Sequence, residues 1–154
     1  MRSQALNLLD ILAILAKFEV EYIITGGISA VLQGAPITTF DLDVVHKRSP
    51  ENVENLRKAL TELEAFYRFP KTPKISPRVE ALLGGGHHLL LCKHGPIDIL
   101  GVIGQGQSYE DLQEKVVEFE FDDILIRAQN LESLIETKRS VGRAKDLVVI
   151  PILE

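Results

Sequence analysis

Two aspartates one residue apart, Asp41 and Asp43, interrupt a run of apolar residues that includes Phe40, Leu42, Val44 and Val45. On a strand, residues i and i+2 project to the same face, so the two carboxylates are expected side by side while Leu42 and Val44 enter the core. Carboxylates that close raise one another's pKa unless a cation holds both ionised. Mg²⁺ suits the task, because it takes oxygen ligands from one or two carboxylates together with substrate phosphates. Asp98 repeats the pattern between Ile97 and Ile99. A lone aspartate inside a strand-like run is disfavoured by β-propensity and by burial. If its strand lies beside that of Asp41 and Asp43, three carboxylates converge. Two metal ions about 3.5–4 Å apart can then clamp a phosphoryl or nucleotidyl transfer. Upstream, Gly26-Gly27 follows a short β-branched run. Such a turn lets backbone N–H groups approach a phosphate, and Ser29 can add a hydroxyl donor.

Other candidates are weaker. His88, Cys92 and His94 fall on one strand face, but one flat strand rarely supplies the tetrahedral convergence that zinc needs. His87 or His88 can instead touch a substrate, and His46 is expected to end its strand at the surface. Lys71, Lys74 and Arg78 form one basic group, and Lys138, Arg139, Arg143 and Lys145 form another. Tyr109, Phe119 and Phe121 read as core or sheet residues.

The elements that must position these groups alternate in type. Apolar residues at helical spacing predict a largely buried helix over residues 3–17. Strands are expected at 22–25 and 38–45, with a short helix over 28–33 between them. Ser49-Pro50-Glu51 combines a capping hydroxyl, a proline at the first helical position and a first-turn carboxylate, which starts a helix. Pro70, Pro73 and Pro77 make 69–78 a surface loop. Strands at 89–92 and 97–102 follow, joined at His94-Gly95-Pro96, then a hairpin of 116–121 with 124–127. Asn130 caps a helix that Gly142 ends, and a last helix runs to about Ile150, before Pro151. This order predicts a mixed α+β domain rather than a doubly wound parallel sheet.

The chain has 154 residues, 45% hydrophobic and 25% charged, which fits one domain over 1–154 with a proper core. A net charge of −5 argues against a general coater of nucleic acid, which needs a broad basic surface. The single Cys92 rules out an intrachain disulfide framework and suits a reducing compartment. Asp10 breaks the apolar N-terminal run, which is also too short for a membrane span. A cytoplasmic protein without membrane association is expected.

The ordered set Gly26-Gly27, Asp41-Leu42-Asp43 and Asp98 resembles the DNA polymerase β-like nucleotidyltransferase superfamily. More narrowly, GGISAVLQGAPITTFDLDVV is similar to small bacterial and archaeal nucleotidyltransferases, including those of type IV toxin–antitoxin systems. The tail, LESLIETKRSVGRAKDLVVI, resembles their closing helices, with Lys138 and Lys145-Asp146 at the matching positions. The resemblance implies a nucleotidyltransferase fold, a central mixed sheet flanked by helices and followed by C-terminal helices. It implies two Mg²⁺ ions, with Mn²⁺ as a substitute, on Asp41, Asp43 and Asp98, and Asp98 as base toward an acceptor hydroxyl. Gly26, Gly27, Ser29, Thr39, Lys138 and Lys145 would contact the nucleoside triphosphate, and Asp146 would complete the site. The acceptor would be RNA such as tRNA, a protein or a small molecule. Relatives often carry an arginine two residues before the motif threonine, where this chain has Ile37. That departure leaves a second reading open, an inactive regulator of the same fold or a toxin–antitoxin partner acting by binding.

Overall fold

The computed structural model describes residues 5–142 and 144–154 and, for 144–148, the backbone only. The chain forms helix α1 (Leu8–Lys17), strand β1 (Tyr22–Thr25), α2 (Gly26–Leu32), β2 (Leu42–His46), α3 (Pro50–Glu62) and β3 (Phe66–Tyr67). Then come α4 (Val79–Leu82), β4 (His87–Cys92), β5 (Gly95–Leu100), α5 (Tyr109–Leu112), β6 (Val116–Phe121), β7 (Ile124–Gln129), α6 (Leu131–Val141) and α7 (Ala144–Leu153). The seven strands make one mixed sheet in the order β3-β4-β5-β2-β1-β7-β6. β2 runs parallel to β5 and β1 parallel to β7, while the other neighbours are antiparallel. The α+β expectation is met.

Strand alternation divides the sheet into two faces. Leu42 and Val44, with Ile24, Leu90, Ile97 and Ile99, belong to the main core, where Ile11, Leu12 and Leu15 of α1 and Val53, Leu56, Ala59 and Leu60 of α3 cover them. Each Val, Leu or Ile side chain among them contributes about 1.5–3 kcal/mol by leaving water. Ile23 and Val45 face the other way, into a smaller cluster with Ile103, Tyr109 and Leu112. A third cluster joins Ala30 of α2 to Leu134 of α6 and Leu153 of α7, and Ile37 packs against it.

Local signals acted as the residues dictate. Ser49 accepts from the Asn52 N–H with Pro50 in the first turn. Asn130 accepts from the Ser133 N–H, and Gly142 closes α6 at φ 70°. Asp122 and Asp123 make the β6–β7 turn with φ of 49° and 67°, the left-handed pair a two-residue hairpin demands. The 69–78 segment is an exposed loop, Pro77 excepted.

Several boundaries differ from expectation. α1 begins at Leu8 with Asn7 as cap, so residues 5–7 are not helical. α2 begins at Gly26 itself. β2 begins at Leu42 rather than at residue 38, because β1 ends at Thr25 opposite Asp43 and Pro96, before Ile97 on β5, has no N–H to donate. Phe40 is therefore outside the strand and 75% exposed. The β4–β5 turn is Lys93-His94. α7 continues through Pro151 to Leu153, since a proline near a helix end removes a single hydrogen bond. His46 ends its strand fully buried, because α4 packs there and the Leu82 carbonyl accepts from His46 Nε2 at 2.7 Å. β3, α4 and α5 were not foreseen. No described helix is long and apolar enough to cross a membrane.

Candidate active site

Sheet register builds the site from one transverse row. Thr25 on β1 pairs with Asp43 on β2, Asp43 with Asp98 on β5, and Asp98 with Leu89 on β4. The row continues to Arg68, just past β3, whose N–H donates to the Leu89 carbonyl at 3.0 Å. All five residues stand on the face away from the main core. Asp41 joins them from the segment before β2, so its carboxylate arrives by a bend rather than by strand alternation. The ligating oxygens of Asp41, Asp43 and Asp98 all lie within 4.8 Å of one another, the one such cluster among the described residues.

Electrostatics follow from that crowding. Burial, then a hydrogen bond with Asp98 and the charges of Asp98 and Asp41, push the Asp43 carboxyl up to about 8, and Arg68 pulls it back only in part. Burial also raises Asp98, against the hydrogen bond with Asp43 and the charge of Arg68. Neighbouring carboxyls in this condition share a proton unless a cation takes its place. Arg68 supplies some positive charge, with one guanidinium nitrogen on Asp98 Oδ1 and the other 3.9 Å from Asp41 Oδ2. Asp43 Oδ1 is nevertheless buried without a hydrogen-bond partner. Three converging carboxylates and an orphaned carboxylate oxygen fit a hard divalent cation.

The glycine pair is required sterically. Gly26 adopts φ 66°, and a Cβ built there would overlap the Asp43 carboxylate. A Cβ on Gly27 would lie 2.6 Å from Thr39 Oγ1. Backbone thus approaches the carboxylates where only hydrogen fits.

A cleft of about 680 Å³ opens over this row. Of the residues singled out in the sequence, Gly26, Gly27, Thr39, Asp41, Asp43, Asp98, Lys138 and His87 line it. Ser29 does not. It is fully buried, and its hydroxyl donates to the Gln129 carbonyl at 2.5 Å, so its hydroxyl ties α2 to β7 instead of reaching the cleft. His88 is buried on the core side with Tyr67, and Cys92 is buried as well. The side chains of Lys145 and Asp146 lie outside the described residues.

Two contributors escaped the sequence reading. Arg68 gave no signal, because its partner Asp98 is thirty positions away and β3 is only two residues long. Gln129, fully buried, accepts from Thr25 Oγ1 at 2.5 Å and donates to Ser133 and Thr137 at 2.8 and 2.9 Å. It therefore fixes α6, and with it Lys138, relative to the end of β1.

Comparison with known proteins agrees with this geometry. The family model described as aminoglycoside-2''-adenylyltransferase matches residues 7–69, a span holding both glycines, Asp41, Asp43 and Arg68 but neither Asp98 nor Lys138. No curated protein matches the chain by sequence. A Thermotoga maritima protein provisionally described as a nucleotidyltransferase superposes with a TM-score of 0.60 at 18% identity, over 96% of this chain and 94% of that one. The chain shares the fold of that protein. The antibiotic-resistance factor ANT(2'')-Ia superposes similarly, with a TM-score of 0.58 at 14% identity over 95% of this chain and 80% of its own. Neither of these proteins is described as part of a toxin–antitoxin system. In this fold, Ile37 is a packing residue against the α2–α6–α7 cluster. The guanidinium at the carboxylates comes instead from Arg68, just past β3.

Proposed function

We propose that this chain, acting as one domain, is a metal-dependent nucleotidyltransferase that moves a nucleoside monophosphate from a nucleoside triphosphate to a hydroxyl acceptor and releases pyrophosphate. The observation that carries the reading is the convergence of Asp41, Asp43 and Asp98 within 4.8 Å, with Gly26 pressed against Asp43 and Gly27 against Thr39. Mg²⁺ held by these three carboxylates would neutralise the triphosphate and the departing pyrophosphate. Gly26 and Gly27 offer backbone N–H groups to the phosphates, Thr39 a hydroxyl and Lys138 a cation. Lys145 and Asp146 belong to the same proposal through the resemblance of the closing helices. Asp98 takes the proton of the acceptor hydroxyl as its oxygen bonds to the α-phosphorus. Lys138 and the glycine N–H groups hold the leaving pyrophosphate. ATP is the donor to test first, given the adenylyltransferase family match, and a cytoplasmic setting suits a nucleotide-consuming reaction.

Incubation with Mg²⁺ and each of four labelled triphosphates is expected to give binding, and pyrophosphate release once an acceptor is present. Asp41→Asn combined with Asp43→Asn should abolish nucleotide binding without lowering the melting temperature. Retained binding in that double variant overturns the metal-site assignment. Isoleucine at position 37 favours a second reading, a catalytically silent regulator that acts by binding a protein partner. Turnover that disappears in Asp98→Asn excludes it.

A further inference from the structure

The carboxylate cluster holds a cation of the chain's own. Arg68 places one guanidinium nitrogen on Asp98 Oδ1 and the other 3.9 Å from Asp41 Oδ2, so its fork claims oxygens of two of the three clustered carboxylates. Asp43 Oδ1 stays buried without a hydrogen-bond partner, so the fork satisfies only part of the set. The Arg68 backbone is fixed. Its N–H donates to the Leu89 carbonyl at 3.0 Å, and the Tyr67 N–H donates to the Ile75 carbonyl at 2.8 Å to close the loop that follows. The side chain has room to leave. It is 26% exposed, and the next residue, Phe69, stands in solvent. From Arg68 to Arg78 the segment carries Lys71 and Lys74 and no carboxylate, so nothing within it competes with the cluster for the guanidinium.

We propose that Arg68 is a tethered counter-ion that a divalent cation displaces: its guanidinium leaves Asp98 and Asp41 when the three carboxylates take the cation. Mg²⁺ binds oxygen at about 2.0–2.1 Å, and a guanidinium bonds a carboxylate at about 2.7–2.9 Å. On one shared Asp98 oxygen the two cations would sit no more than about 5 Å apart, and like charges at that range repel strongly in a half-buried site. A residue that only supports a metal ligand bonds that one ligand; Arg68 spans two, as the cation itself would. Two consequences follow from the exchange. The carboxylates keep a counter-charge, and with it their spacing, before loading, and the affinity of the site for the cation is set by a residue outside the ligand set. The inference rests on the metal-site reading under the proposed function and adds the step by which that site is loaded.

The test counts bound Mn²⁺ by electron paramagnetic resonance on the full chain, with no nucleotide and no turnover. Arg68→Met keeps the stem and removes the charge. It should bind Mn²⁺ about tenfold more tightly than wild type, and in chelator it should melt at a lower temperature. Arg68→Lys keeps the charge but loses the fork, so its affinity should fall between the two. A second measurement follows the guanidinium itself. In ¹H–¹⁵N spectra of the arginine side chains, the Arg68 N–H signals, assigned from the variants, should exchange faster with water as Mg²⁺ is added. Equal or weaker Mn²⁺ binding in Arg68→Met overturns the inference and makes Arg68 a support of its carboxylates, with the metal site intact. Arg68 signals that Mg²⁺ leaves unmoved, in protein that binds the ion, overturn it as well. If Arg68→Met does not fold, Arg68→Lys decides: tighter Mn²⁺ binding than wild type supports the exchange, and unchanged or weaker binding refutes it. Absence of Mn²⁺ binding in wild type and variants alike sinks the metal-site reading and this inference together.

Discussion

The two sides of the carboxylate cluster are made by different means. On the glycine wall, backbone meets carboxylate and hydroxyl at distances that exclude a Cβ, and Thr25 is locked through buried Gln129 to α6. On the Arg68 side, a single side chain reaches the carboxylates from the start of a loop closed at its base, and the neighbouring Phe69 stands in solvent. Rigid backbone suits a ligand part that never changes, such as a triphosphate. Exposed side chains on a loop suit a part that differs between related proteins, as an acceptor does. One framework can therefore keep its reaction while its acceptor is replaced.

The sharpest way to break this contrast is to substitute each wall in turn. Gly26→Ala forces a left-handed backbone on alanine and a methyl into Asp43. Nucleotide binding should be lost, and stability should fall by about 1–3 kcal/mol, read by calorimetry and by titration with ATP and Mg²⁺. Phe69→Ala should leave the melting temperature nearly unmoved, within about 0.5 kcal/mol. Equal destabilisation by the two changes would erase the distinction.

Next in size is Gln129→Leu, which removes the partner of Thr25, Ser133 and Thr137 inside the fold. Buried groups left unpaired cost about 1–3 kcal/mol, so chemical denaturation should register a loss of that order. Because Lys138 sits on the helix so displaced, affinity for the triphosphate should weaken as well. A loss of stability with unchanged nucleotide affinity would mean that α6 is placed by its apolar contacts alone.

The smallest expected effect is on pH dependence without metal. The folded-state Asp43 carboxyl lies above its unfolded value, at about 8. The folded protein thus binds more protons than the unfolded chain between about pH 4 and 8, and stability falls as pH rises through that window. Asp43→Asn removes the term. The difference in melting temperature between variant and wild type should grow in the variant's favour from pH 5 to pH 8, by a few degrees. Mg²⁺ should raise the wild type and leave the variant little changed. A pH-independent difference would show that the carboxyls are not crowded as described.

Much of the glycine wall could be read from the chain itself, because its determinants are local. A glycine pair after a β-branched run, aspartates breaking apolar alternation, and Ser49-Pro50 or Asn130 at helix starts all act through neighbours a few positions away. The other wall depends on residues distant in sequence. Nothing near Arg68 announces Asp98, and Phe40 falls inside the strand expected at 38–45 because the apolar pattern around it continues where the ladder partners stop. Ser29 was misplaced for the same reason, its partner Gln129 lying a hundred positions on. His46 was misplaced because the four-residue helix that buries it gives too weak a pattern to detect.

The parallel pairing of β2 with β5 also dictates when the site comes into being. β1 and β2 are nearby in the chain and carry the glycines, Asp41 and Asp43, yet Asp98 arrives opposite Asp43 only after α3, β3, α4 and β4 have been laid down. Until that long crossover closes, a folding chain holds two of the three carboxylates that cluster in the native structure. A cation held by the three carboxylates would thus depend on a contact, Asp43 with Asp98, that closes a long loop. Ligands of the proposed site would stabilise only the completed sheet.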